Sequence, residues 1–283
     1  MSKKFLAFLL IICFLMPGCD YRANLFGILG LHEAGTSTDP LVLEADGEAA
    51  MAKGDYANAV IYYDAAIAAF KTMSYSSMSA AQQSSYEKAL IGHANSLMMT
   101  NDIALTPILI EMLTSQSQPT FSINSLLPIT DNPGAIASAT SAIVDDFDTL
   151  MDINSKYAAD AGMNLTAGVY KAMNVMADYL DNDFVEFSDD SETPDFIIKG
   201  SSESYPISYI VTMDTVTWNN FRSTLDIPTI LAETQNAVTG LGTAMDYLLN
   251  CGDQIAPEML DGIKSGYDEI QTQLENFTAK LLQ

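Results

Sequence analysis

The 283-residue chain is predicted to be all-α. Three observations carry that reading. Over most of its length, apolar residues recur at the 3.6-residue period of a helix. Helix-start signals, a capping side chain followed by proline, occur at Asp131-Asn132-Pro133 and at Asp226-Ile227-Pro228. Near the end, Ile263, Tyr267, Ile270, Leu274, Phe277 and Leu281 follow one another at four, three, four, three and four residues. That is the cleanest amphipathic stripe in the chain.

Residues 1–18 read as a targeting segment, not as structure. Lys3 and Lys4 supply a positive start. Phe5 to Met16 is apolar but shorter than the roughly 20 residues a membrane-spanning helix needs. Leu15-Met16-Pro17-Gly18-Cys19 closes the run. A small residue directly before a cysteine at this point resembles a bacterial lipoprotein signal. The leucine lies four positions before the cysteine, not three, as in relaxed forms of this site. The resemblance implies cleavage after Gly18 and acylation of Cys19, so that lipid holds the chain at a membrane with no spanning helix. An ordinary secretory signal and an uncleaved anchor are the alternatives. Residues 19–40 then read as a tether carrying a short apolar patch, Leu25 to Leu31. The expected location is a bacterial cell envelope, lipid-anchored, on the periplasmic side or the cell surface.

The chain has 36 acidic and 12 basic side chains, a net charge of −24 that becomes −26 once Lys3 and Lys4 are removed. Such a surface argues against nucleic acid, whose phosphates need lysine and arginine, and against anionic lipid. A basic partner, a cation or plain solubility would suit it. With 48% apolar residues the chain can still bury a core of one or two domains. Of three cysteines, Cys13 leaves with the signal and Cys19 takes lipid; Cys251 alone remains, so no internal disulfide forms.

The body begins with two short helices. Leu43, Gly47, Ala50 and Met51 form one stripe up to Lys53. Gly54 stops that helix and Asp55 caps the next. The second carries Ala59, Tyr63, Ala66, Ile67 and Phe70. Small residues at Gly47, Ala59 and Ala66 allow close approach. The stretch resembles a tetratricopeptide repeat, a 34-residue helix–turn–helix, with Leu43, Gly47, Gly54-Asp55-Tyr56, Ala59, Tyr63 and Ala66 in register. Asp46, Ala50 and Lys71 depart from that pattern. A second, blurred unit follows with Tyr86, Leu90, Ala94, Leu97 and Met98, an Asn101-Asp102-Ile103 turn, and a helix opened by Thr106-Pro107. The resemblance implies TPR-like hairpins over 41–130, stacked as an α-solenoid or a compact helical array, whose groove holds a peptide, helix or partner domain. Tyr56, Tyr62 and Tyr63 are the first candidates for partner contact, although Tyr63 also suits a core position.

Residues 131–283 are expected to form a helical region packed on the repeats. Ile136, Ile143, Phe147 and Leu150 mark one helix, with a break near Asn154. Asn164 is placed to cap the next, with Leu165, Val169, Met173, Met176 and Leu180 along it. Ser188 to Val216 is the least helical part: one long irregular loop around 188–216 with a short extended piece. Trp218, the only tryptophan, stands three residues before Phe221; the pair suits either core or partner contact. One helix then runs from Asp226 to about Asn250, and Ala256-Pro257 opens the last.

His32 and His93 are the only histidines, and His93 reads as structural. There is no nucleophile with a visible base, no histidine–cysteine cluster and no phosphate-cradling glycine loop. No catalytic residue, cofactor or metal is assigned. The run Asp178, Asp181, Asp183, Glu186, Asp189, Asp190 lacks calcium-loop spacing and reads as a solvated acidic face. The function expected is a membrane-anchored lipoprotein acting as a TPR-like protein-binding scaffold. The rival is a resemblance in layout to lipoproteins with degenerate tetratricopeptide units that accompany tripartite (TRAP-type) solute transporters. That would imply a transport accessory with a small-ligand cavity. An enzyme of unfamiliar type is a third class.

Overall fold

The computed structural model describes residues 36–103, 132–188, 195–251 and 257–283. The signal segment, Cys19, nearly all of the tether and the helix expected after Thr106 lie outside them. The described chain is mostly helical, with one small sheet. It forms two compact units, Met1–Gly92 and His93–Gln283. The division falls inside one helix, whereas the sequence pattern sets a change of region at 130/131.

In the first unit, α1 spans Pro40–Ala52 and α2 spans Tyr56–Phe70. Asp39 caps α1, accepting from the Leu41 backbone N–H, and Pro40 occupies the first turn, where no N–H is needed. The turn between the helices closes as a Schellman motif: the Asp55 N–H donates to the Ala50 carbonyl and the Gly54 N–H to Met51, each at 3.0 Å. That geometry puts Gly54 at φ +74°, a conformation glycine takes without a Cβ clash. Asp55 then caps α2, accepting from the Asn58 backbone N–H at 3.4 Å, and its other oxygen accepts from the Asn58 side-chain amide at 2.7 Å. The stripe Ala59, Tyr63, Ala66, Ile67 and Phe70 is buried throughout.

A third helix, α3 (Ala80–Thr100), follows a 3-10 turn at Tyr75–Ser77. Its portion within the first unit completes the packing around Tyr63. The Tyr63 ring is 3% exposed and lies against two glycines, Gly47 of α1 and Gly92 of α3. A Cβ on Gly47 would sit 2.7 Å from the ring, and one on Gly92 would overlap it. Phe70 and Tyr86 stack beside this contact with ring centroids 5.2 Å apart. At its far end α3 also closes with a left-handed residue, Asp102 at φ +52°, and the Ile103 N–H donates to the Met98 carbonyl at 2.8 Å. Asp102, not Asn101, is therefore the counterpart of Gly54.

In the second unit, α4 spans Pro133–Ile153, the short α5 Ser155–Ala158, and α6 Ala161–Leu180. Asn132 caps α4 with Pro133 first in the helix. The helix α6 starts earlier than expected, because Asp160 supplies the cap. Asn164 lies inside the helix, buried, and its amide donates to the Ala158 and Asp160 carbonyls at 2.9 Å. With 13 of its 20 residues buried, α6 is the unit's central helix. It packs against α4 and against a later helix, α9 (Ile227–Leu249), which in turn packs on α10 (Pro257–Leu281). Tyr267, Ile270, Leu274, Phe277 and Leu281 of α10 are all buried.

The long irregular loop expected at 188–216 is not what forms. Strands β1 (Val185–Ser188), β2 (Asp195–Lys199) and β3 (Ser204–Pro206) make an antiparallel sheet in the order β1-β2-β3. Val185 pairs with Ile198 and Ile197 with Pro206. Two short helices follow, α7 (Ile207–Ile210) and α8 (Thr215–Arg222). The physical reason is period-two alternation: Phe196 and Ile198 are fully buried while Ile197 and Lys199 are only partly so. Tyr179 of α6 meets Phe184 and Phe196 edge-to-face, at 5.9 and 5.6 Å between centroids.

Candidate ligand site

The four partner-contact candidates divide. Tyr56 and Tyr62 are half-buried on α2. Tyr63 sits in the glycine contact of the first unit, and Trp218, 2% exposed, packs in the second, its ring 6.4 Å from that of Phe221. The Lys280 ammonium lies over the Trp218 ring and donates to the Met213 carbonyl at 3.0 Å, which ties α10 to the α8 region. Both buried rings are thus core residues of their own units. Cys19 lies outside the described residues. Asp178, Asp181, Asp183 and Glu186 are exposed, with Glu186 3.6 Å from Lys199. Asp189 and Asp190 are not described. Among the described residues no cluster of three or more histidine, cysteine, aspartate or glutamate side chains is placed to hold a metal ion.

The most distinctive polar arrangement of the first unit lies between α1 and α3, on a cleft of about 320 Å³. Glu44 and Glu48 reach it from α1, four residues apart and so on one helical face. Ser84, Ser85 and Lys88 reach it from α3. Glu44 is 8% exposed. The Ser85 hydroxyl donates to its Oε2 at 2.7 Å, while Oε1 is buried without a hydrogen-bond partner. Lys88 lies 3.8 Å from Glu48, both half-exposed, which makes a weak surface pair.

Burial pushes the Glu44 carboxyl up to about 7, and the neighbouring Glu48 adds to this, while the Ser85 hydroxyl and Lys88 oppose it. A carboxyl raised in the folded state binds its proton more tightly there than in the unfolded chain. Its stabilising effect is complete below the ordinary value of 4.5 and is lost as the pH rises through 7. Glu44→Gln cannot ionise. It is expected to gain thermal stability over the natural chain steadily between pH 4.5 and 8; a difference that stays constant over that window would contradict the shift.

In the second unit, His93 and Asp146 form a buried pair, 6% and 5% exposed, with Nδ1 of His93 2.7 Å from Oδ2 of Asp146. At that separation the ring N–H donates to the carboxylate. Sequence reasoning names His93 but misses both partners of interest, Asp146 and Glu44. For Glu44 a signal exists: it sits between Leu43 and Ala45, next to a core position, with a second carboxylate one turn on.

No protein-family model, no curated protein and no solved structure matches this chain. Among the described residues, no helix is long and apolar enough to cross a membrane.

Proposed function

We propose that the chain is an exported lipoprotein, acylated at Cys19 and tethered to a cell-envelope membrane, that acts by holding a protein or peptide partner on its helical surface. In this reading residues 41–130 are TPR-like hairpins. The observation that carries it is the contact of Tyr63 with Gly47 and Gly92. Stacked helical repeats need small residues where rods nest, so that the neighbouring surface stays free for a partner. On α2 Ile61 is 59% exposed, and the same helix carries the half-buried Tyr56 and Tyr62. The net charge of −24 favours a basic partner.

A photo-crosslinking residue at Tyr62, used in the native envelope, is expected to capture one discrete partner. Ile61→Asp should abolish that capture; crosslinks that persist in the variant, or none at all, would count against the reading. Cys19→Ser is expected to move the protein from the membrane fraction to the soluble one, and retention at the membrane would mean a different anchor. A second reading, a transport accessory with a small-ligand cavity, is favoured by one observation, the acidic cleft between α1 and α3.

A further inference from the structure

The helix α1 meets α3 through a carboxyl that has little to hold a charge. Glu44 is 8% exposed, and one donor reaches it, the Ser85 hydroxyl of α3 at 2.7 Å. Glu48 lies one turn along α1, within hydrogen-bonding reach of Glu44. Two carboxylates have no hydrogen to share, so that contact forms only when one of them is protonated. Lys88 of α3 is the cation that acts on Glu44, but it stands beside Glu48, in a half-exposed pair 3.8 Å apart. Such a pair compensates little. Tyr63 of α2 faces both carboxylates and stays neutral beside them. Glu87, also on α3, is taken up by the Tyr75 hydroxyl at 2.5 Å. An ionised Glu44 is therefore a buried anion with a single donor, which is costly. The turn Lys53-Gly54-Asp55 that follows α1 is exposed, and nothing lies within 4 Å of where a Cβ on Gly54 would stand. No packing restrains it, which leaves a pivot at that end of the helix.

We propose that α1 is a pH-gated flap: a proton shared between Glu44 and Glu48 keeps it docked on α3, and loss of that proton lets it swing out about Gly54 until the Glu44 carboxylate reaches water. Opening uncovers the Gly47 face of α1 and the Tyr63 ring that lies against it. Leu43 and Ala50, 4% and 6% exposed, oppose the movement, so the docked form stays dominant and pH sets how often it opens. The direction follows from the proton. Burial holds it on Glu44 up to about 7, so α1 is docked in mild acid and opens more often as the pH rises through that value. The stability gain of Glu44→Gln reports the same proton; the flap places the effect of its loss in one helix.

Backbone hydrogen exchange of the full-length protein, divided at each pH by the intrinsic exchange rate, reads opening helix by helix. Between pH 5 and pH 8 the opening constant of α1 is expected to rise about 70-fold, the ratio linkage gives for a carboxyl at about 7 in the docked form and 4.5 in the open one. The amides of α2, and of α6 in the second unit, should not share that rise. Glu44→Gln cannot ionise and should keep α1 at one opening constant across the range. Glu48→Gln, at a half-exposed position, removes the charge beside Glu44 and should shrink the rise several-fold. An α1 opening constant that does not change with pH would overturn the proposal. So would an equal rise in α1, α2 and α3, which would mean that the whole unit loosens, or a rise that survives in Glu44→Gln.

Discussion

Gly92→Ala is expected to destabilise the first unit by about 1–3 kcal/mol, the range for forcing extra volume into a packed site. Two effects oppose each other. Alanine favours a helix interior over glycine by about 1 kcal/mol, which would stabilise α3. Against this, the new Cβ overlaps the Tyr63 ring, which is 3% exposed and also lies against Gly47 of α1. With the ring buried and already against Gly47, the steric term is expected to prevail. Urea unfolding of the variant measures the balance. A double-mutant cycle with Tyr63→Leu isolates the cause: once the ring is gone, Gly92→Ala should lose its cost and show the helix-propensity gain instead. If Gly92→Ala alone stabilises the protein, the close contact between these helices is wrong, and so is the argument that links it to stacked repeats.

His93→Ala is expected to cost about 3 kcal/mol, because it removes the imidazole that is hydrogen-bonded to a buried carboxyl. Asp146 is 5% exposed and would keep its carboxylate without the imidazole 2.7 Å away. Replacing both residues by leucine should cost much less than the two single changes together, because neither polar group is then buried in the absence of the other. Thermal and urea unfolding of the three variants decide the matter. A loss under about 1 kcal/mol for His93→Ala would show that the pair contributes no more than an exposed one.

The helical stripes were legible because they rest on local spacing. Ala59, Tyr63, Ala66, Ile67 and Phe70 repeat at helical intervals, and all are buried as that spacing requires. The starts of α4 and α9 are marked by a cap and a proline, and both helices begin there. The sheet was less legible. Val185, Phe187, Phe196 and Ile198 alternate over very short runs, and Asp189, Asp190, Glu192, Pro194 and Asp195 between them read as loop. Pairing of β1 with β2 and packing of Phe196 on Tyr179 are contacts across the chain that no local window contains. The same holds for the cap of α6. Asn164 and Asp160 are equally good capping types, and the choice of Asp160 appears only once the break before α6 is built. The candidate site was the least legible part. Glu44 looks like any acidic residue on an acidic chain until Ser85, forty-one residues away, is seen to bind one oxygen and leave the other.

The small sheet ends abruptly at both margins. On one side β3 has three residues and finishes at Pro206, which has no N–H to offer; on the other β1 has four, with the charged Glu186 among them. Neither rim gives an incoming strand enough of a template to add to. A chain that carries several β-forming aromatics is thereby protected from polymerising through them. Lengthening β3 by exchanging Pro206 for a β-branched residue would remove that protection without disturbing the buried ring cluster beneath it.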